Sequence, residues 1–303
     1  MKKVAIIGGG GTVGSTAAFC LARRNILAEI VLFDARENMA RSHAMDLEQA
    51  VGHAAETIIR AGDVDALAGA EIVIITAGVP ERRVASRNEF LAGNRVIIRE
   101  VSRLVREKCP DAVIITASNP IDVLNYELYR LTGFPPGKII GLAENDSVRF
   151  RWAVARHAGV PVSAVSALAI GEHGESIFLF DTVRIHGKRP DFSRAVKQEI
   201  REMVQNWFRQ YQELDSMRSS GWTSGENLAA LTAELVRPAG RVFVCSAIMQ
   251  GQYGISDVSL GVPVRLGPEG IREIIELPLS ADELSQLQAA ARRIREMLAC
   301  GEH

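Results

Sequence analysis

One stretch near the start of this chain restricts its fold more than any other, because a short apolar run leads directly into four glycines. Residues 4–7 have the composition of a buried strand, and residues 15–22 have that of a helix. Glycines permit positive φ angles and let a ligand approach the backbone, while the start of the next helix presents unpaired N–H groups to a negative charge. The sequence therefore predicts a strand, a tight turn and a helix that together bind a diphosphate.

Two glycine patterns fit this turn equally well, Gly9-x-Gly11-x-x-Gly14 and Gly8-x-x-Gly11-x-x-Gly14, and Thr12 and Val13 lie inside both. The sequence therefore leaves open which glycine approaches the phosphate.

An acid follows at the spacing that a dinucleotide site requires. Asp34 ends the apolar run 30–33, about twenty residues after the last glycine, where a carboxylate would accept hydrogen bonds from a ribose diol. Because that carboxylate would repel a 2′-phosphate, we expect NAD rather than NADP. The alternative is that Asp34 only begins a turn.

Composition sets broad limits on the class of protein. The chain has 303 residues, of which 47% are hydrophobic and 23% charged, with a net charge of −1. Such a balance gives no electrostatic footprint for nucleic acid or for an anionic membrane. No apolar run is long enough to span a bilayer, and no signal peptide precedes the first strand, so we expect a cytoplasmic protein with reduced cysteines.

The remaining pattern predicts an α/β fold of two parts. Strand-like runs at 72–76, 112–117 and 138–142 alternate with helical patterns such as 88–108, which indicates a Rossmann doubly wound parallel sheet over residues 1–142. Residues 143–303 change character and predict a C-terminal α+β substrate domain. Its predicted helices are 146–158, 193–219 and 224–236, its predicted strands are 166–170, 177–185, 241–247 and 258–266, and a last helix starts at a capping box of Ser280 and Glu283.

Several side chains have the chemistry of a proton-transfer site. His173 lies between glycines after an apolar strand, where an imidazole can exchange a proton near neutral pH. Asp146 and Arg149 are three residues apart on a predicted helix: the carboxylate would orient the imidazole, and the guanidinium would clamp a substrate carboxylate. The alternatives are a loop histidine and a capping aspartate in a local ion pair.

Two loops after predicted strands add candidates. Ala77 and Gly78 open a charged loop that ends at Arg87, and such a loop can close over a ligand and bring an arginine to a carbonyl oxygen. Asn119 ends the next strand and either hydrogen-bonds the reacting oxygen or begins a turn. The alternative for the loop from Ala77 to Arg87 is a basic loop exposed to solvent.

Taken in order, these motifs resemble the lactate/malate dehydrogenase family across nearly the whole chain, including the bacterial and archaeal members. The resemblance implies hydride transfer between NAD and a small L-2-hydroxy acid or its 2-oxo acid. It implies that His173 is the acid/base, Asp146 its partner and Arg87 the residue that polarises the carbonyl. It also implies a substrate site of Arg149, Asn119, Glu81, Arg82 and Thr223, and a cofactor site of Gly9, Gly11, Thr12, Val13, Gly14, Asp34, Ala77, Gly78, Asn94 and Asn119.

The chain departs from the family pattern at the position that usually selects the substrate. Glu81 stands there, where glutamine suits pyruvate and arginine suits oxaloacetate. Malate activity would need Arg82 or Arg83 to read the second carboxylate. A different hypothesis is that Glu81, with Glu226, selects a polar or cationic tail, the alternative being that Glu81 is solvated. Asn145 and Asn227 also occupy positions that are usually more apolar.

Two other functions fit parts of the pattern. A non-catalytic NAD-binding regulator would keep the fold, although it would not need His173, Asp146, Arg149 and Arg87 together. An NAD-dependent glycosidase would need a metal site, and no ligand spacing indicates one. The resemblance further implies a homodimer or homotetramer.

Overall fold

The protein is described by a computed structural model. It covers residues 2–80, 87–216, 218 and 220–300, and within helices the side chains at 87, 88, 208 and 212 are not described.

The first half alternates strands and helices, as the sequence predicts. In chain order the elements are β1 (Lys2–Ile7), α1 (Thr12–Arg24), β2 (Leu27–Phe33), α2 (Glu37–Val51), β3 (Ile58–Ala61), β4 (Ile72–Ile75), α3 (Leu91–Lys108), β5 (Val113–Thr116), α4 (Ile121–Thr132) and β6 (Ile139–Leu142). The strands β4, β5 and β6 are buried on both faces, which is why their sequences are continuous apolar runs.

These strands form a parallel sheet in the order β3-β2-β1-β4-β5-β6. The order reverses direction between β1 and β4, so the carboxyl ends of these two strands flank a crevice. Ligands of doubly wound sheets bind at such a point. The glycine turn and the loop that begins at Ala77 both leave the sheet there.

The second half is built differently. Its elements are α5 (Glu144–Ala158), β7 (Val165–Ile170), β8 (Ile177–Ile185), α6 (Arg194–Glu213), α7 (Gly221–Val236), β9 (Val242–Gln250), β10 (Ser256–Gly267), β11 (Gly270–Ile274) and α8 (Ala281–Ala299). The hairpin of β7 and β8 is a separate sheet, whereas β9, β10 and β11 extend the parallel sheet through antiparallel pairing of β9 with β6. The predicted fold class, a Rossmann sheet followed by a C-terminal α/β part, is confirmed.

Four predicted helices have different bounds in the structure. The helix predicted from 88 begins at Leu91, and the helix predicted from 146 begins at Glu144. The helix predicted over 193–219 ends at Glu213, and the helix predicted from 224 begins at Gly221. Glycines at 221 and 225 let α7 pack closely on α1: a Cβ at Gly221 would lie 2.6 Å from Thr12 Cγ2, and one at Gly225 would lie 2.5 Å from Thr16 Cγ2. This close approach also brings α7 to the glycine turn.

Hydrophobic packing fills both halves. One cluster covers the nine-stranded sheet, and a smaller one lies between α5, the β7–β8 hairpin and α6, with Phe150 against Phe178 and Phe180. Helix α8 begins with the predicted capping box, in which Ser280 and Glu283 exchange hydrogen bonds. The four cysteines are free thiols.

Candidate active site

The glycine turn is tight because backbone atoms occupy the space of side chains. Gly8 has a φ of +94°, and a Cβ there would lie 2.5 Å from Ala77 N. A Cβ at Gly14 would lie 2.4 Å from Gly8 O, so any larger residue would push α1 away from the turn. Gly11 is the N-cap of α1 and, lacking a side chain, gives this helix no side-chain cap, so its first-turn amides suit a ligand.

Asp34 lies at the end of β2 beside this turn. Its Oδ2 accepts a hydrogen bond from Gly10 N at 2.9 Å, and a Cβ at Gly10 would lie 2.9 Å from the same carboxylate oxygen. The side chain is 11% exposed. A carboxylate next to a glycine turn and an uncapped helix N-terminus suits the ribose and diphosphate of a dinucleotide, so these residues fit NAD.

Asn94 joins the two loops that leave the sheet beyond β4 and β5. Its Oδ1 accepts from Val79 N at 2.7 Å, and its Nδ2 donates to Asn119 O at 2.6 Å. The loop that begins at the predicted cofactor residues Ala77 and Gly78 is therefore linked to Asn119 through Val79 and Asn94. Among the described residues, the buried Oδ1 of Asn119 has no hydrogen-bond partner. Since buried polar atoms are normally satisfied, this oxygen is positioned to bind a ligand group.

His173 and Asp146 form a direct pair. The imidazole Nδ1 lies 2.9 Å from Asp146 Oδ2, and the two side chains are 4% and 7% exposed. Asp146 lies in the first turn of α5, and His173 lies in the turn after β7, so the pair joins two elements of the C-terminal half. Asp146 Oδ2 also accepts from Gly174 N at 3.1 Å and from Ser176 Oγ at 2.7 Å.

Arg149 approaches the same carboxylate from one helical turn away. Its Nη1 donates to Asp146 Oδ1 at 3.0 Å, and its Cζ lies 4.3 Å from the centroid of the Trp207 ring. Trp207 is on α6 and stacks on Tyr211, with centroids 5.1 Å apart. The guanidinium is therefore held by a carboxylate on one side and an aromatic face on another.

The charge of Asp146 follows from these contacts. Burial raises the pKa of its carboxyl, but the charge and hydrogen bond of His173, the charge of Arg149 and the hydroxyl of Ser176 outweigh burial and hold the pKa well below its usual range. Asp146 is thus a permanent anion at neutral pH. An anion that accepts from Nδ1 fixes the imidazole tautomer and favours its protonated form.

Helix α7 reaches this site through buried amides. Asn145, beside Asp146, donates from Nδ2 to Ser224 Oγ at 3.0 Å and accepts at Oδ1 from Asn227 Nδ2 at 2.7 Å. Thr223 is half-buried and directly precedes Ser224. It is therefore close to Asn145 and, through Asn145, to Asp146. The polar departures at 145 and 227 are thus explained, because the two amides satisfy each other.

Glu226 does not support the hypothesis that it selects substrate together with Glu81. Its side chain is 56% exposed and forms an ion pair with Arg24 of α1. It is engaged at the surface between α1 and α7, so this part of the expectation is wrong.

The other predicted residues lie as follows. Thr12 and Val13 begin α1, and Gly9 donates from its backbone to Phe33 O at 3.0 Å. Arg87 begins a short 3-10 helix, Arg87–Phe90, that leads into α3, and its side chain is outside the described set. Glu81, Arg82 and Arg83 lie outside the described residues.

Sequence reasoning missed two residues that contact the His173–Asp146 pair or its turn. Ser176 was not singled out, although it lies three residues after His173, a distance that a turn can fold back. Asp122 was also missed: its Oδ2 accepts from His173 N at 2.7 Å. In the sequence it resembles an ordinary first-turn helix acid two residues after Pro120.

Within the described ranges, no group of three or more His, Cys, Asp or Glu side chains is placed to hold a metal ion. None of the helices described has the length and apolar character needed to cross a membrane.

Two family models match the chain. The NAD-binding domain of lactate/malate dehydrogenase matches residues 2–141, and the alpha/beta C-terminal domain of lactate/malate dehydrogenase matches residues 144–303.

Individual proteins agree with these matches. The chain is 34% identical to the malate dehydrogenase of Halobacterium salinarum over 298 residues, which covers 97% of each chain. The crystal structure of Cryptosporidium parvum malate dehydrogenase superimposes with a TM-score of 0.92 at 31% identity, covering 99% of this chain and 98% of the other. The lactate dehydrogenase from Cryptosporidium parvum, in complex with lactic acid and nicotinamide adenine dinucleotide, superimposes with a TM-score of 0.91 at 28% identity, covering 99% and 97%.

Proposed function

The chain belongs to the lactate/malate dehydrogenase family and is an NAD-dependent hydroxy-acid dehydrogenase, and from this premise we propose that His173 and Asp146 are its acid/base pair, acting on a small L-2-hydroxy acid. The single observation that carries the proposal is the 2.9 Å contact between His173 Nδ1 and the buried Asp146 carboxylate.

The proton transfer follows from that contact. Because Asp146 accepts from Nδ1, we assign the exchangeable proton of the reaction to Nε2. The imidazolium gives this proton to the carbonyl oxygen during reduction, and the imidazole takes it from the hydroxyl during oxidation. Asp146 remains charged throughout and stabilises the imidazolium.

Four further residues bind and orient the substrate in this proposal. Arg149 binds the carboxylate next to the reacting carbon, because its planar fork suits two parallel hydrogen bonds. Asn119 and Thr223 hydrogen-bond the reacting oxygen and line the pocket, and Arg87 polarises the carbonyl. The buried Oδ1 of Asn119, which has no partner in the described part of the chain, supports its assignment as a ligand-binding atom.

The cofactor residues come from the first half. In the proposal the turn of Gly9, Gly11 and Gly14, with Thr12 and Val13, holds the diphosphate, and Asp34 holds a ribose. Ala77, Gly78, Asn94 and Asn119 hold the nicotinamide end. Bound NAD supplies the hydride acceptor, and NADH the hydride donor.

For the substrate, the leading candidate is malate with its 2-oxo acid, oxaloacetate. Support comes from the curated relative, which is named malate dehydrogenase, and from Arg82 or Arg83 as the cation for a second carboxylate. The second candidate is a 2-hydroxy acid with a polar or cationic tail, which Glu81 favours because a carboxylate repels a dicarboxylate in a closed pocket.

A panel of 2-oxo acids with anionic, neutral and cationic tails tests both candidates through NADH oxidation. Oxaloacetate should have the highest kcat/KM, and replacing Arg82 or Arg83 by Gln should lower that value by roughly 10- to 100-fold if one of them reads the second carboxylate. A preference for the cationic acid that Glu81→Gln abolishes would establish the second candidate instead. Turnover of none of the acids would refute the proposed function.

A histidine variant tests the acid/base assignment itself. His173→Asn should lower kcat by roughly 10²- to 10⁴-fold for every acid that is turned over, with NADH binding retained. Full activity of this variant would contradict the assignment.

The remaining features of the proposal are its organisation and location. We place the boundary between an NAD-binding domain, residues 1–142, and a substrate domain, residues 143–303, and expect a cytoplasmic homodimer or homotetramer. Large apolar side chains exposed on three helices, Met45, Val96 and Trp222, are consistent with subunit contacts. Sedimentation equilibrium of the purified chain measures the oligomeric state.

A further inference from the structure

A second buried carboxylate holds the turn that carries His173. Asp122 lies in the first turn of α4 and is 3% exposed. Its Oδ2 accepts from the backbone N–H of His173 at 2.7 Å, and its Oδ1 accepts from Ser246 Oγ. Nothing in the proposed proton transfer uses this residue.

A buried network of hydrogen bonds fixes the side chain of Asp122. Ser246 Oγ of β9 lies 2.7 Å from Ser259 Oγ of β10. Asn125, one turn along α4, donates to Ser259 Oγ at 2.8 Å and to Ser246 O at 3.0 Å. Gly141 of β6 makes room for these groups, because a Cβ there would lie 2.6 Å from Ser246 Cβ. The network therefore ties the carboxylate to a helix and two strands.

Backbone hydrogen bonds hold the histidine turn on both sides of His173. Gly171 N donates to Gly261 O at 2.7 Å, and Gly261 N donates back to Gly171 O at 3.0 Å. Gly174 N donates to Asp146. Between these two anchors, the amide of His173 itself is bonded to Asp122. Loss of that bond would free the peptide whose side chain must meet Asp146.

We propose that Asp122 is a positioning residue for the acid/base pair: it holds the His173 peptide in register with Asp146 and, through its charge, favours the protonated imidazole. The inference rests on the proposed role of His173.

The charged groups around Asp122 make its electrostatic effect on the His173 imidazole dependent on pH. Burial raises the pKa of Asp122, the hydrogen bonds from Ser246 and His173 N lower it, and the charges of Glu172 and Asp146 raise it, to about 7. Glu172 is itself paired with Arg293 at 2.9 Å. Asp122 thus changes charge in the pH range where an imidazole titrates.

Two substitutions separate the positioning of the His173 peptide from the influence of the Asp122 charge on the imidazole. Asp122→Asn keeps the shape and an oxygen for His173 N but removes the charge, whereas Asp122→Ala removes the acceptor as well. Glu234→Gln is a matched control, because Glu234 is also a buried carboxylate that accepts backbone amides, from Ala239, Gly240 and Arg241. It lies about three turns along α7 from Thr223.

We expect Asp122→Ala to lower kcat about 10- to 100-fold with unchanged affinity for NADH, and Asp122→Asn to recover kcat to within about threefold. In Asp122→Asn the titration midpoint of the His173 imidazole, followed by NMR without substrate, should fall by about one pH unit, and the reduction rate should decline at correspondingly lower pH. Glu234→Gln should leave both quantities at their wild-type values.

An unchanged His173 midpoint in Asp122→Asn would overturn the inference, and so would a full rate in Asp122→Ala. If Asp122→Ala does not fold, the midpoint in Asp122→Asn decides. If the wild type turns over no 2-oxo acid, the proposed function fails, but the NMR titration still tests whether Asp122 influences His173.

Discussion

Asp146 and Asp122 contact the same histidine turn from two helices, and both are almost fully buried, yet their surroundings differ. Asp146 faces an imidazole and a guanidinium, whereas the donors that Asp122 meets among the described residues are neutral, a backbone amide and a serine hydroxyl. Burial raises the pKa of both, but only around Asp146 do neighbouring cations and hydrogen bonds overcome it. The difference shows that the charge of the partners, more than the depth of burial, decides whether a carboxylate stays ionised.

The two carboxylates therefore influence stability in opposite ways. A carboxyl whose pKa is lowered by folding stabilises the protein above its unfolded pKa, and this contribution is lost as the pH falls through its folded pKa. A carboxyl whose pKa is raised contributes fully below its unfolded pKa, and this contribution is lost as the pH rises through its folded pKa. Asp146 belongs to the first kind and Asp122 to the second.

The largest effect on kcat is expected when the charge of Asp146 is removed. Asp146→Asn should lower kcat by roughly 10³- to 10⁴-fold, because the imidazole loses the anion that fixes its tautomer and stabilises its proton. Steady-state NADH oxidation measures this loss, and NADH binding serves as the control. If kcat falls no further than in Asp122→Asn, the distinction between the two carboxylates is wrong.

An intermediate effect is expected in the pH dependence of stability. Relative to the wild type, Asp122→Asn should gain free energy of unfolding as the pH rises from about 4 to about 7, by up to about 1.4 kcal/mol per pH unit, and no further above that range. Urea unfolding of both proteins at pH 5, 6 and 7, at one protein concentration, measures the difference. A constant difference would show that the pKa of Asp122 is not raised.

The smallest effects are expected from the two serines, each of which gives one hydroxyl to one carboxylate. Ser176→Ala should lower kcat only about three- to tenfold, because Arg149 and His173 still hold Asp146. Ser246→Ala should raise the pKa of Asp122 further, because one of its two donors is lost. The His173 midpoint and kcat, measured in both variants, compare the two sides directly. Equal changes of kcat and of the His173 midpoint in the two serine variants would contradict the proposed difference between Asp146 and Asp122.

Local patterns in the sequence were enough to predict the dinucleotide-binding fold. The glycine turn, the Asp34 strand and the capping box at Ser280 each depend on residues close together in the chain, so spacing alone reports them. The sequence also pairs Asp146 with His173, 27 residues apart, because each has distinctive neighbours, and a 2.9 Å contact joins the two side chains.

Long-range partners were beyond the reach of the sequence pattern. Asp122 is 51 positions from His173 and 124 from Ser246, and no periodicity connects them. The position of Glu226 at a predicted helix start suggests a place in the substrate pocket together with Glu81, but in the structure its side chain pairs with Arg24 of α1. The same difficulty hid the continuation of the first sheet into β9, β10 and β11, because antiparallel pairing to β6 leaves no signature in either strand.

That continuation constrains how a substrate can enter. Because β9 is hydrogen-bonded to β6, a hinge rotation of one half relative to the other would break main-chain hydrogen bonds in the middle of a single sheet. Access must therefore come from segments at the rim, and the two halves should respond to heating as one cooperative unit rather than melting in succession.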